Sequence, residues 1–317
     1  MSSSAPATPD QAKPPVEHAA PEVDTTPGVL GYKELWRAKP TGWAHGSLIT
    51  PSGDLAVSAS GTLTIYARHD GSVLESSAVC DAEGPRAMTL LGSKLYIACN
   101  DQVVELSLPG LSARTVLSGV LKSSSNLFRE AAFGGGTLVY VHNDGNIEVY
   151  ATKTWSLVRT EKGKAQTFSP TVTVSGDGAR FAVSSRDQPL QLFENGKSTS
   201  IGTLVGFAFS PDGQRVFGSS ASFRAGELTL KAKTVRDLME TGSWLTAATY
   251  FDKDLLAVAG SDGLSVLELG TGKQQALANM TAETLAVSAD GNLICSADRG
   301  DTVACFARGT IAKSTYR

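Results

Sequence analysis

Short apolar runs separated by polar turns recur along almost the whole chain. Each recurrence has one plan: an apolar strand, a tight polar turn, a second apolar strand ending in small residues, a polar loop, and a third strand. The second strands begin at Leu55, Leu95, Leu138, Phe181, Val216, Leu255 and Leu293, with gaps of 40, 43, 43, 35, 39 and 38 residues. They read DLAVSAS, KLYIACN, TLVYVHN, ARFAVSS, QRVFGSS, DLLAVAG and NLICSAD, with branched or aromatic residues in the body and small ones near the end. None shows the 3.6-residue period of an amphipathic helix. A period of about 40 residues is that of a four-stranded blade, whereas a β-helix repeats sooner. The expected fold is all-β: a seven-bladed β-propeller of four-stranded antiparallel blades over residues 29–317.

The turns before the second strands carry matching chemistry. Ser210-Pro211-Asp212-Gly213 places Pro where a type I turn wants its fixed φ, and Gly at the fourth position. Ser288-Ala289-Asp290-Gly291, Ser175-Gly176-Asp177-Gly178 and Thr50-Pro51-Ser52-Gly53 follow suit, while Phe251–Asp254 lacks the Gly. The recurring Asp177, Asp212 and Asp290 fall in separate turns, so turn chemistry accounts for them better than a calcium site.

Phe207–Ser220 (FAFSPDGQRVFGSS) and Leu285–Phe306 (LAVSADGNLICSADRGDTVACF) resemble the WD-repeat-like propellers, and the resemblance runs over residues 43–317. Glu34-Leu35-Trp36-Arg37 looks like the strand that precedes a blade in quinoprotein-like propellers. The chain departs from the WD pattern: it has no Gly-His at blade starts, and Ile65-Tyr66, Val149-Tyr150 and Leu192-Phe193 stand where Trp-Asp would. The family's Asp-His-Ser-Trp network is therefore missing, which leaves apolar packing to hold the blades. The resemblance implies a binding platform. Lys33–Ala38 and Ile311–Tyr316 are both eligible to supply the strand that closes the ring.

Charge narrows the partners. The net charge of −3 resides in residues 1–27, where Asp10, Glu17, Glu22 and Asp24 face Lys13 alone. The rest is neutral, without the basic stripe of a nucleic-acid binder or the Lys/Arg cluster of a membrane-surface binder. Residues 1–28, rich in Pro, Ala, Ser and Thr, read as a disordered tail without the basic and apolar regions of a secretory signal. No stretch is long and apolar enough to span a bilayer. Cys80, Cys99, Cys295 and Cys305 form no C-x-x-C pair and have no nearby His, so buried reduced thiols are expected, although Cys295 and Cys305 fall on consecutive strands. The expected setting is the cytoplasm.

No catalytic constellation emerges. His18, His45, His69 and His142 sit at no metal-ligand spacing, and His142, beside Asn143 and Asp144, is the one expected near the channel mouth, as a structural residue. There is no G-x-S-x-G, P-loop or H-E-x-x-H, and Gly134-Gly135-Gly136 reads as a turn. The expectation is a non-catalytic scaffold, without cofactor or metal, that binds a protein or peptide through its loop-rich face as a monomer or within a hetero-complex. The competing readings are a lactonase-like hydrolase with a metal in the central channel, and a small-molecule sensor. Aromatic and Arg residues dominate interface hot spots. The expected contact residues are Phe223 and Arg224 in a long blade 5 loop, Arg186, Arg299, and Phe128 with Arg129 in an interblade segment. Trp244 is expected in the core.

Overall fold

A computed structural model describes residues 30–40, 42–81, 86–120, 129–142, 144–165, 170–186, 188–202, 204–300 and 302–316; for Arg129 it describes the backbone. The expected tail and Phe128 lie outside these residues. The described chain forms seven four-stranded antiparallel sheets, the blades of a propeller. Blades 1–6 span residues 44–78, 87–118, 129–162, 171–200, 205–240 and 245–278, each a meander of consecutive strands from the channel outwards.

The physical basis is the burial of both faces of every second strand. In blade 2, Leu95 and Ile97 enter the core shared with blade 1, while Tyr96 and Ala98 enter the core shared with blade 3. Blade 3 repeats the division: Leu138 and Tyr140 face blade 2, Val139 and Val141 face blade 4. Seven such clusters occupy the seven interblade boundaries. Each fully buried aliphatic or Phe side chain contributes about 1.5–3 kcal/mol relative to exposure. In blades 6 and 7 the strands begin at Leu255 and Leu293 as expected, but the facing register comes one residue later. Leu256 and Val258 pack on blade 5, and Ile294 packs on blade 6. A one-residue offset exchanges the faces of a strand, so the inward-facing set is read from these positions.

Blade 7 is closed by the N-terminal strand. Its order places Tyr32–Ala38 outside Val303–Arg308, then Leu293–Ala297 and Ala286–Val287. Trp36 locks this strand, donating from Nε1 to the Arg68 carbonyl at 2.9 Å and stacking on Tyr66 of blade 1. Gly71 lies under the indole, where an added Cβ would approach Cε3 to 2.4 Å. Ile311–Tyr316 is therefore an addition. It crosses blade 1, where Arg68 donates to the Lys313 carbonyl at 2.6 Å, Ser314 donates to buried Asp54 at 2.8 Å, and the Tyr316 hydroxyl donates to Glu75.

Packing is supplemented by buried polar ties. Glu105 accepts from Lys94, from Tyr96 at 2.8 Å and from Arg114 at 3.0 Å. Glu227 accepts from Arg215 at 2.9 Å and, across a blade boundary, from Tyr250 at 2.6 Å. Tyr140 of blade 3 donates to the Cys99 carbonyl of blade 2 at 3.0 Å. The expectation that apolar packing alone holds the blades is thus corrected: the absent WD network has carboxylate–tyrosine and carboxylate–arginine ties in its place.

The reduced-thiol expectation is also corrected. Cys80 is bonded to Cys99, and Cys295 to Cys305. The first links the connection after blade 1 to the residue that follows the second strand of blade 2, Lys94–Ala98. The second links strands of blade 7 whose register sets the two cysteines opposite each other. The Ser-x-Asp-Gly turns behave as expected: the Ser175, Ser210 and Ser288 hydroxyls donate to Asp177, Asp212 and Asp290 at 2.6, 2.5 and 2.6 Å.

Three outcomes are expected. Deleting residues 1–40 lowers the melting midpoint relative to deleting residues 1–27, because only the former exposes the edge of Val303–Arg308. Trp36→Ala, which empties the same lock, costs about 3–5 kcal/mol in urea unfolding. The third outcome concerns acid. The Lys94 hydrogen bond, with those from Tyr96 and Arg114, holds Glu105 down from 4.5 to about 2, against burial. A depressed carboxylate stabilises above its unfolded pKa and loses that stabilisation as pH falls through its folded value. The stability difference between wild type and Glu105→Gln therefore shrinks between pH about 4.5 and about 2, as urea titrations across that range would show.

Candidate functional site

The turns between second and third strands emerge on one face, together with the interblade connections. Two tryptophans occupy the same place in their blades there. Trp43 immediately precedes the inner strand Ala44–Ile49 of blade 1, and Trp244 immediately precedes the inner strand Leu245–Tyr250 of blade 6. Each offers its carbonyl to the neighbouring turn, Trp43 to Ser60 at 3.0 Å and Trp244 to Ser261 at 3.3 Å. Fixed by backbone in this way, both indoles stand at the rim.

Each carries an arginine. The Arg186 guanidinium lies 4.1 Å from the Trp244 ring centroid, and that of Arg299 lies 4.8 Å from Trp43. Phe223 meets Trp244 edge-on at 5.3 Å. Arg186, Phe223 and Trp244 thus join blades 4, 5 and 6 in one cation–aromatic cluster. Phe223 is 38% exposed, and its φ of +58° turns the chain into the following strand. Trp244 is half-buried at the rim and not in the core as expected. Arg186 is exposed and forms no ion pair among the described residues, so its donor edge is open to a carboxylate.

The other expected residues are arranged differently. The blade 5 loop is shorter than expected: Arg224 opens the strand Arg224–Thr229 and pairs with Asp237 at 3.1 Å and Glu240 at 3.5 Å on the outer strand. Ala225 and Gly226, small residues that resemble loop, belong to that strand, paired with Ser219 and Gly218, and the position takes Gly because a Cβ there would lie 2.5 Å from Arg236 O. Arg299 is shared between Trp43 and Glu283, whose carboxylate it meets at 2.5 Å. Arg129 opens the inner strand of blade 3, pairing in register with His142. His142 is buried, its Nδ1 3.0 Å from Asp144.

The channel mouth holds groups that spacing does not reveal. His45 is the extra residue of a bulge in the inner strand of blade 1, and Trp43 stacks on it at 5.5 Å. Burial lowers its pKa, and Arg86 adds to the effect. Arg86 stands at the head of the blade 2 inner strand, donating from Nε to Asn100 at 2.9 Å. Glu130 lies second in the inner strand of blade 3, paired in register with Val141. At the equivalent level the other blades present Gly46, Ala87, Thr171, Val205, Ala247 and Thr284, so Glu130 is the one ionisable group of this ring. Burial pushes its carboxyl up to about 7, with Arg86 pulling the other way. Among the described residues no cluster of His, Cys, Asp and Glu is arranged to hold a metal ion.

Fold and rim define a seven-bladed β-propeller with an aromatic, arginine-bearing face. No family model matches the chain, and no curated protein matches it in sequence.

Proposed function

We propose that this protein is a non-catalytic propeller of WD-repeat-like or quinoprotein-like kind that binds a protein or peptide through the face carrying Trp43 and Trp244. The observation that carries this reading is the Arg186–Trp244–Phe223 cluster. Trp, Tyr and Arg dominate binding energy at interfaces, and here an Arg without a carboxylate partner among the described residues is already oriented on an indole. Stacking fixes the guanidinium before binding, which lowers the ordering cost of association.

A test compares proteins retained from lysate of the source organism by wild type, Trp244→Ala and Arg186→Glu. Both residues are rim residues, so the variants should keep the wild-type melting midpoint while losing at least tenfold of one or more retained partners. Identical sets would remove this cluster from the account. A stoichiometric divalent ion in purified protein would favour the hydrolase reading instead.

The two disulfides support residence in an oxidising compartment over the cytoplasm that the sequence suggests. Alkylation of unreduced, denatured protein isolated from its native source should then label no cysteine. Exposure to reductant should cost about 3 kcal/mol for each bond broken. Labelling of all four would return the protein to a reducing compartment.

A further inference from the structure

We propose that residues 311–316 form a detachable recognition segment, and that the track they occupy across the lower turns of blade 1 also takes the same segment from a second copy of this chain. This goes beyond the rim reading: the site lies on other turns and uses other residues.

The segment is held as a bound peptide is held. Ile311, Ser314 and Tyr316 are half-buried, whereas Ala312, Lys313 and Thr315 between them are exposed. Ile311 packs against the core between blades 7 and 1, and Tyr316 against the core between blades 1 and 2. Between these apolar ends, Arg68 donates to the Lys313 carbonyl at 2.6 Å and Ser314 donates to Asp54 at 2.8 Å. The Ser314 hydroxyl also accepts the Tyr316 N–H at 3.1 Å, a local turn that sets the position of the tyrosine. The Tyr316 hydroxyl donates to Glu75, whose carboxylate also accepts from the Gly110 N–H of blade 2 at 2.9 Å. Ser-x-Tyr is thus the part of the segment that the track reads.

The track needs an occupant, and its attachment to this one is loose. Asp54 is fully buried, with Ser52 at 2.7 Å and the Arg68 N–H at 3.0 Å as its other donors. Losing Ser314 takes a donor from a buried carboxylate, which is costly. Even with the segment in place, Nε of Arg68 is buried without a hydrogen-bond partner, so the fit in cis is incomplete. Among the described residues no ladder ties the segment to the ring. Arg308, Gly309 and Thr310 ahead of it are exposed, and Gly309 has φ +89° with open space where a Cβ would stand. A self-contained docking segment behind a short exposed joint lets two copies exchange identical elements at low cost, because every contact is remade in the partner. Charge agrees: the track sets Asp54 and Glu75 against Arg68, and the segment brings Lys313.

The probe is a fluorescein-labelled peptide of residues 309–316, followed by anisotropy against the full chain. Ser314→Ala/Tyr316→Ala loosens the resident segment and frees the track. This variant should bind the peptide about tenfold or more tighter than wild type, where the tethered segment competes at an effective concentration of about 1 mM. Ser314→Ala or Tyr316→Phe in the peptide should each weaken binding about tenfold, the loss of one hydrogen bond to a carboxylate. For the second copy, the loosened variant is mixed with Arg68→Ala/Glu75→Ala, whose segment is intact and whose track is broken; Glu75→Gln replaces the latter if its circular-dichroism spectrum departs from wild type. Sedimentation velocity should show a one-to-one complex in the mixture and monomers in either protein alone. Hydrogen exchange in wild type gives a reading free of variants: amides of 311–316 should exchange before those of Val303–Arg308. Equal protection of the two, no saturable binding to the loosened variant, equal binding to wild type, or undiminished affinity of a peptide lacking both hydroxyls would each overturn the site. Peptide binding without a complex in the mixture would confine the segment to its own ring and overturn the exchange.

Discussion

Every blade of this ring depends on its neighbours, because a second strand buried on both faces cannot satisfy either face alone. Tyr96 and Ala98 are useless to blade 2 without blade 3, and Leu95 and Ile97 are useless without blade 1. Such an architecture is stable only when the boundaries are continuous around the circle. The last boundary, between blades 7 and 1, is therefore where closure must be enforced. Several devices coincide there. Tyr32–Ala38 completes blade 7, Trp36 bridges to Arg68 and Tyr66 of blade 1, the Cys295–Cys305 bond lies in the same core, and Ile311 packs against it from the C-terminal side.

Both chain ends serve this boundary by different means. The N-terminal strand satisfies the exposed edge of Val303–Arg308 by backbone pairing, which a strand edge requires. The C-terminal segment makes no ladder. It uses side chains and a carbonyl to reach Asp54, Arg68 and Glu75 of blade 1. The two ends are not interchangeable, because blade 7 has three consecutive strands of its own and takes its fourth from Tyr32–Ala38.

Sequence reading captured what is local. Strand starts at Leu55, Leu255 and Leu293, the Ser-x-Asp-Gly turns and the face bearing Phe223 and Arg186 all follow from contiguous residues. What escaped is non-local or depends on register. Cys80 and Cys99 are 19 residues apart and meet only because blades 1 and 2 dock. Arg186 and Trp244 belong to blades two steps apart, and no spacing rule connects them. Trp244 reads as core because indoles are usually buried, yet its equivalence to Trp43, each immediately before an inner strand, was visible as a repeat position and could have placed it on the rim. Glu130 was hidden by its neighbourhood: Arg129-Glu130 looks like solvated loop until pairing with Val141 sets it in the channel wall.

The same closure constraint explains why side chains not committed to packing or turns collect at the rim. The lower turns spend their side chains internally, as Ser175, Ser210 and Ser288 do on their own aspartates. Packing consumes the faces of the strands, and the ladders consume their backbones. Side chains free of these duties collect where the inner strands begin and the second strands end. There the bulge at His45 adds a residue to one inner strand, and Glu130 stands where the other blades carry Gly46, Ala87, Thr171, Val205, Ala247 and Thr284. A ring whose interior is committed to holding itself together can acquire specificity by exchanging residues at these ends without disturbing a boundary. The tryptophans at 43 and 244 show one blade position used twice, each time with a different arginine. Arg299 is neutralised by Glu283, whereas Arg186 has no ion pair among the described residues. Two geometrically similar positions thus differ in their pairing, which breaks the equivalence of the seven-fold repeat on this face.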